Sequence, residues 1–209
     1  NLGRVQTILE TLKISQFFKT GYKEAKFALY RAFMSGNQNL VDFLLKEGIV
    51  LNTWHVVDAV QHGDVNVLMK VVEHLKCHKK WNPYQGQDGA PRHLFTSGMH
   101  LGNCKHFKFE IPCFTALQVT YCNEKFDMTD YLLKNEVKVS LYMLYYVSHC
   151  SSQQAVARVI HDLKVADSWD PHCDDASKIL ENVYALKKYD VCDLLVHEGI
   201  SLTMKNLVG

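Results

Sequence analysis

Neither sign of charge is in excess in this chain of 209 residues, where 23 Lys and Arg stand against 22 Asp and Glu. A balanced surface offers no broad positive field for phosphate backbones or anionic lipid, so nucleic acid is not an expected partner. Long apolar runs are lacking as well. The longest, such as 137–147, are interrupted and fall far short of the roughly 20 residues that cross a bilayer, so no membrane insertion is expected. There is no glycine-rich phosphate loop: the nearest candidate, Gly86-Gln87-Asp88-Gly89, lacks a following Lys-Ser or Lys-Thr. Asn1-Leu2-Gly3-Arg4 shows neither an initiator Met nor a charged-then-apolar leader, and we expect a piece of a longer chain whose targeting information lies elsewhere. The cysteines give no disulfide pattern. Seven of them (77, 104, 113, 122, 150, 173 and 192) are irregularly spaced, four inside apolar helical patterns, as reduced buried thiols are. That predicts a cytoplasmic setting, with the nucleus as the variant, and not a secreted framework.

Proline and tryptophan are the scarcest residues present, with four and three copies, and they recur together. Trp81-Asn82-Pro83 returns as Trp169-Asp170-Pro171. The same displacement lays Ala28-Leu29 on Ala116-Leu117, Asp42-Phe43-Leu44-Leu45-Lys46 on Asp130-Tyr131-Leu132-Leu133-Lys134, Trp54 on Tyr142, and Val71-Val72 on Val159-Ile160. The chain is therefore a repeat array. Shorter echoes subdivide it. The stretch from Gly36 to Ile49 resembles that from Lys188 to Ile200, and again the stretch starting at Gly63.

The period is thus about 30 residues, as helical solenoids show. In each copy a short segment with small and apolar residues at helical spacing (Ala28–Ser35, His55–His62) meets a Gly or polar stop. A second segment follows in which Leu40, Phe43 and Leu44 form an amphipathic stripe closed by Gly48, the residue suited to a left-handed helix end. Each unit reads as helix, turn, helix. One such pair cannot bury its apolar face alone, so neighbours must stack. The predicted pairs fall at 25–50, 54–78, 90–112, 115–139, 142–166 and 176–202, preceded by a partial unit at 4–12 and all within one domain, 1–209.

These units resemble the ankyrin repeat, with its opening Asp-Gly-x-Thr-Pro-Leu-His-x-Ala and later Val-x-x-Leu-Leu-x-x-Gly. Asp88-Gly89-Ala90-Pro91-Arg92-His93-Leu94 matches the opening, and Phe114-Thr115-Ala116-Leu117 matches a common variant of it. Gly36-Asn37, Val41, Leu44-Leu45, Gly48 and Asn52 match the second half. The resemblance implies an all-α solenoid of stacked antiparallel helix pairs that acts as a protein-protein interaction scaffold. Two departures stand out. The β-hairpin finger of the family is missing between Asn52 and Trp54 and across Ser140. The second helix expected within 101–112 reads instead as a degraded helix or an inserted loop.

Chemistry is sparse. The densest cluster, Cys77 to Cys113, contains His78, His93, His100, Cys104 and His106, borderline-soft ligands suited to zinc. Its spacing matches no standard zinc module, so a metal is not the favoured reading, with His100, Cys104, His106 and Cys113 as its candidate ligands. His149-Cys150 and His172-Cys173 are adjacent in sequence, and adjacent helical residues point apart, so no catalytic pair and no cofactor are expected. Lys76 to Lys80 reads as a solvated helix end.

Aromatic residues carry more. Tyr142, Tyr145 and Tyr146 sit in one first helix. Overlay on Trp54 predicts Tyr142 in the core, whereas Tyr146 and His149 overlay Asp58 and Gln61 on the expected concave side. The expected function is non-catalytic binding of a protein, a peptide or another domain of the same polypeptide. The contacting residues predicted from the repeat register are Arg31, Asp58, Gln61, His62, Gln118, Tyr146, His149 and Asn182. Two rival readings follow from the same sequence: a zinc- or small-ligand sensor at 93–113, and a structural or autoregulatory array within a large signalling nucleotide triphosphatase.

Overall fold

The computed structural model describes residues 3–4, 7–8, 10, 23–83 and 112–201. Among them are ten helices of nine or more residues and no strand, the all-α class that the periodicity predicts. No helix among the described residues is long and apolar enough to cross a membrane. The chain forms two compact units, Asn1–Asn82 and Pro83–Gly209. The pair expected at 90–112 lies outside the described residues except for its last residue, and the partial unit at 4–12 is described only at residues 4, 7–8 and 10, which are helical.

The first unit contains α1 (Lys23–Met34), α2 (Gln38–Lys46), α3 (Trp54–His62) and α4 (Val65–Cys77). Residues with oxygen-bearing side chains start the second helix of each pair. Asn37 accepts the Leu40 N–H at 3.1 Å, and Asp64 accepts the Val67 N–H at 2.9 Å, satisfying amides that have no partner within the helix. The turn between α3 and α4 needs glycine for lack of room, since a Cβ on Gly63 would lie 2.6 Å from the Ala59 carbonyl oxygen. α1 packs on α2 and α3 on α4, and α1 touches both helices of the second pair. Leu29, Leu44, Val56, Leu68, Val71, Val72 and Leu75 fill the space between them and are almost wholly buried.

Two polar bridges join those pairs. Tyr30 donates its hydroxyl to the Asp58 carbonyl at 2.6 Å. The connector from α2 to α3 is held by α4, where the Leu51 N–H donates to His74 Nε2 at 3.2 Å. That bond requires the lone pair on Nε2, so His74 must be neutral. Burial disfavours its charge first, and His78, Lys80 and His55 add to the effect, lowering its pKa from 6.5 to about 4.

The second unit contains α5 (Pro112–Cys122), α6 (Phe126–Lys134), α7 (Leu141–Cys150), α8 (Gln153–Val165), α9 (Asp174–Ala185) and α10 (Tyr189–His197). α5 includes Pro112, ahead of the expected 115, and proline is tolerated in a first helical turn because its missing N–H is not needed there. Three packed pairs result, α5 with α6, α7 with α8, and α9 with α10. α7 lies against both α5 and α9, while α8 touches α5 and α10. Leu117, Leu132, Leu144, Val159, Ile160, Leu163, Ile179 and Leu195 are at most 1% exposed, and each buried leucine of this kind stabilises by about 1.5–3 kcal/mol.

Charged and polar side chains set the register between pairs here too. Tyr121 on α5 is fully buried and donates its hydroxyl to Asp162 Oδ2 on α8 at 2.7 Å. Arg158, one turn before Asp162, donates Nε to the same carboxylate at 2.9 Å and also pairs with Asp130 on α6. Its guanidinium lies 5.6 Å from the centre of the Phe126 ring. Lys188, at the start of α10, donates Nζ to the carbonyls of Ser148 at 2.8 Å and Ser151 at 2.6 Å, closing the C-terminal end of α7.

The duplication marked by Trp81 and Trp169 holds at the level of backbone conformation. Lys79 and Asp167 both follow the second helix of a pair with positive φ, 54° and 52°, just before those tryptophans. Among the described residues, non-glycine residues take that conformation at five places, including Glu124, Glu136 and Lys187. Each is a left-handed helix end that glycine would adopt without strain.

Two outcomes are expected. Lys187→Gly relieves φ 58° at an exposed turn and should stabilise the second unit by about 0.5–1 kcal/mol, whereas Lys187→Ala should not; thermal unfolding of the two variants checks this. The His74 pKa is lower folded than unfolded, so the stability tied to its neutral ring is full above pH 6.5 and is lost as pH falls through 4. At that limit the loss is on the order of 3 kcal/mol. His74→Gln, which keeps an acceptor that does not titrate, should flatten the acid limb of Leu51 amide exchange; an unchanged limb would show that His74 is not its origin.

Candidate interaction face

The outward side of α7 is built by helical periodicity. Met143, Leu144, Val147 and Ser148 are buried, which leaves Tyr142, Tyr145, Tyr146 and His149 half-exposed on the other side. Their spacing of i, i+3, i+4 and i+7 places all four on one stripe. Tyr142 and Tyr145 stack with centroids 6.3 Å apart, Tyr145 and His149 lie 4.4 Å apart, and Phe114 from α5 meets Tyr142 at 5.9 Å. His149 Nδ1 donates to the Tyr145 carbonyl at 2.6 Å, which leaves Nε2 as an acceptor. Burial holds the pKa of His149 below its ordinary value, outweighing the bond to Tyr145, with Lys188 adding to the lowering. Burial also raises Tyr142, to about 12, and Tyr145. The stripe is uncharged at neutral pH.

The same stripe continues on the neighbouring helices. In the register that lays Ala116-Leu117 on Met143-Leu144, Thr115, Gln118, Val119 and Cys122 of α5 fall on Tyr142, Tyr145, Tyr146 and His149, and α5 packs beside α7. Neither α5 nor α7 contains an Asp, Glu, Lys or Arg. On the other flank α9 supplies Asp175 and Lys178, paired at 3.1 Å, and Asn182. Of these three helices only α9 carries charge.

The expected contacting residues divide between the units. In the first, Arg31 on α1 and Gln61 and His62 on α3 are exposed and Asp58 is half-buried. Phe27, 57% exposed, and Trp54, 44% exposed, are the large apolar groups that those two helices leave in water. In the second unit Tyr146 and His149 are half-exposed on the stripe. Asn182 is half-buried and its Nδ2 donates to the Lys178 carbonyl at 2.7 Å, so its amide is largely spent on its own helix. Gln118 is only 6% exposed and offers little to a partner. Tyr142 is not in the core. The overlay on Trp54 is right about position, but Trp54 itself faces outward.

Sequence reasoning underrated Tyr142 and Tyr145. The signal that finds them is the absence of charge from 112–122 and 141–150 combined with the spacing of the tyrosines. Of the four candidate metal ligands, His100, Cys104 and His106 lie outside the described residues. Cys113 is described, buried at the start of α5, and burial pushes its thiol up to about 12. Among the described residues no three His, Cys, Asp or Glu side chains stand close enough to hold an ion.

No protein-family model, curated protein or solved structure matches the chain.

Proposed function

We propose that this chain is a non-catalytic scaffold of ankyrin-like helix pairs that binds a protein or peptide through faces built from the first helices of successive pairs. The observation that carries the reading is the stripe on α7. Four half-exposed aromatic and imidazole groups stand on one helix face, beside a second helix that, like the first, has no charged side chain. Depletion of charge with enrichment of aromatic residues is the composition of an interface core, where a few such anchors dominate affinity. His149 Nε2 supplies an acceptor on an otherwise apolar surface. The partner segment that fits is uncharged and partly apolar where it crosses α5 and α7. Over α9 it meets the Asp175–Lys178 pair. The thiols of Cys77, Cys173 and Cys192 are free, in keeping with a reducing cytoplasmic or nuclear setting.

The reading is tested by selecting peptides from a displayed random library on the immobilised chain. Selected peptides are expected to lose affinity by about tenfold or more on the double variant Tyr146→Ser, His149→Ala, as truncated anchors at interface centres do. The melting temperature of that variant should fall by no more than about 3 °C, the range expected of changes outside the core. Equal binding to variant and parent would sink the reading. A collapse in stability would instead move these two residues into the core.

A further inference from the structure

The α7 stripe holds an acceptor whose role is fixed. His149 Nδ1 lies 2.6 Å from the Tyr145 carbonyl, which can only accept, so the proton of the neutral ring sits on Nδ1 and Nε2 carries the lone pair. That bond and the Tyr145 ring, 4.4 Å away between centroids, hold the imidazole in place. His149 is half-exposed, and its Nε2 makes no hydrogen bond among the described residues. An oriented acceptor of this kind, on a helix face without charge, restricts what can sit over it.

Short side chains flank the imidazole. The displacement that lays Ala116-Leu117 on Met143-Leu144 puts Cys122 at the place of His149 on α5. The one that lays Leu117 on Leu180 and Tyr121 on Tyr184 puts Ala185 there on α9. α7 lies between these two helices, and neither raises a long side chain at that level, which leaves room for a large group beside Tyr145. The charge of the place is set as well. Lys188 Nζ, bonded to the carbonyls of Ser148 at 2.8 Å and Ser151 at 2.6 Å, also reaches the His149 carbonyl at 3.5 Å. Burial lowers the pKa of His149, and Lys188 adds to the lowering. A second cation placed over Nε2 would stand against that ammonium, with no acid on α5 or α7 to offset it. A carboxylate or a carbonyl would face the lone pair.

We propose that His149 selects the bound segment by a tryptophan, whose indole N–H donates to Nε2 while its ring lies against Tyr145 at the level of Cys122 and Ala185. The inference rests on the reading of this stripe as a binding face and names the group that the face takes. Among uncharged donors, the hydroxyls of Ser and Thr and the amides of Asn and Gln bring little apolar surface to a face of rings. A tyrosine hydroxyl brings lone pairs that need donors of their own. The indole is a donor only, so its one bond leaves nothing unsatisfied, and its bicyclic ring gives Tyr145 a face or an edge to pack on. Tryptophan is also enriched among the anchors that dominate interface affinity. His149 is thereby a specificity-determining residue, and the tyrosines beside it supply area.

The probes are peptides selected from a displayed random library on the immobilised full chain. Those that lose affinity on the double variant Tyr146→Ser, His149→Ala should share a tryptophan. Replacing it by benzothienylalanine, which carries sulfur in place of the indole N–H, should weaken binding to the parent chain about three- to tenfold, the range of one hydrogen bond. The same replacement should change binding by less than about twofold on His149→Phe, which keeps a ring and lacks the acceptor. On the parent chain with nitrogen-labelled histidine, the Nε2 resonance of His149 should move on adding the tryptophan peptide and stay in place with the benzothienyl form. Stripe-dependent peptides without a tryptophan, peptides with Lys or Arg in its place, or a benzothienyl form that binds the parent as well as the indole does each overturn this inference and leave the binding face standing. Peptides that bind the double variant as well as the parent remove the face itself, and this inference with it.

Discussion

A helix pair of this length has more apolar surface than its own two helices can cover, and everything else in the chain follows from that deficit. A lone pair would leave the outer faces of its leucines in water. In the second unit α5 is covered by both α7 and α8, and α7 is flanked on both sides by first helices. Hydrophobic contact is not directional, however, and would tolerate a slip of one turn between neighbours. The polar bridges remove that freedom. Tyr30 to Asp58, His74 to Leu51, Tyr121 to Asp162 and Lys188 to the end of α7 are each satisfied in one register only.

Burying those bridges costs desolvation, so they are worth having only when complete. Asp162 is the clearest case. Its carboxylate is 6% exposed and is met by the Tyr121 hydroxyl and by Arg158, which also reaches Asp130. Burial works against the arginine charge, but the hydrogen bonds to Asp162 and Asp130 outweigh it and the guanidinium pKa is raised. His74 solves the same problem without charge. It bonds as a neutral acceptor, and its position makes the first unit sensitive to acid.

Much of this was legible from spacing. The duplicated Val71-Val72 and Val159-Ile160 are all buried, and the second helices end where their glycines or left-handed residues stand. Helix existence is set by local periodicity, which a sequence displays directly. Exposure on the outer faces is not local. Gln118 and Tyr145 occupy equivalent places on α5 and α7, yet one is buried and the other half-exposed. For the same reason overlay aligns Tyr142 with Trp54 without revealing that both face outward. α5 already includes Pro112, ahead of the family motif that begins with Phe114.

The comparison of Tyr121 with Tyr184 turns this into a general point about repeat chains. Identical positions in two copies carry the same side chain, and their exposure differs from 0% to 60% through the presence of a neighbour. A buried aromatic group is retained readily by packing, whereas an exposed one gains nothing from it. The outer face of α9 and α10 keeps the phenol, the ring and the carboxylate of a covered face, with Tyr184, Tyr189 and Asp193 at the places of Tyr121, Phe126 and Asp130, including the left-handed turn at Lys187 that presents them. What differs between the two copies is the neighbour beside each face and not the sequence of the face itself.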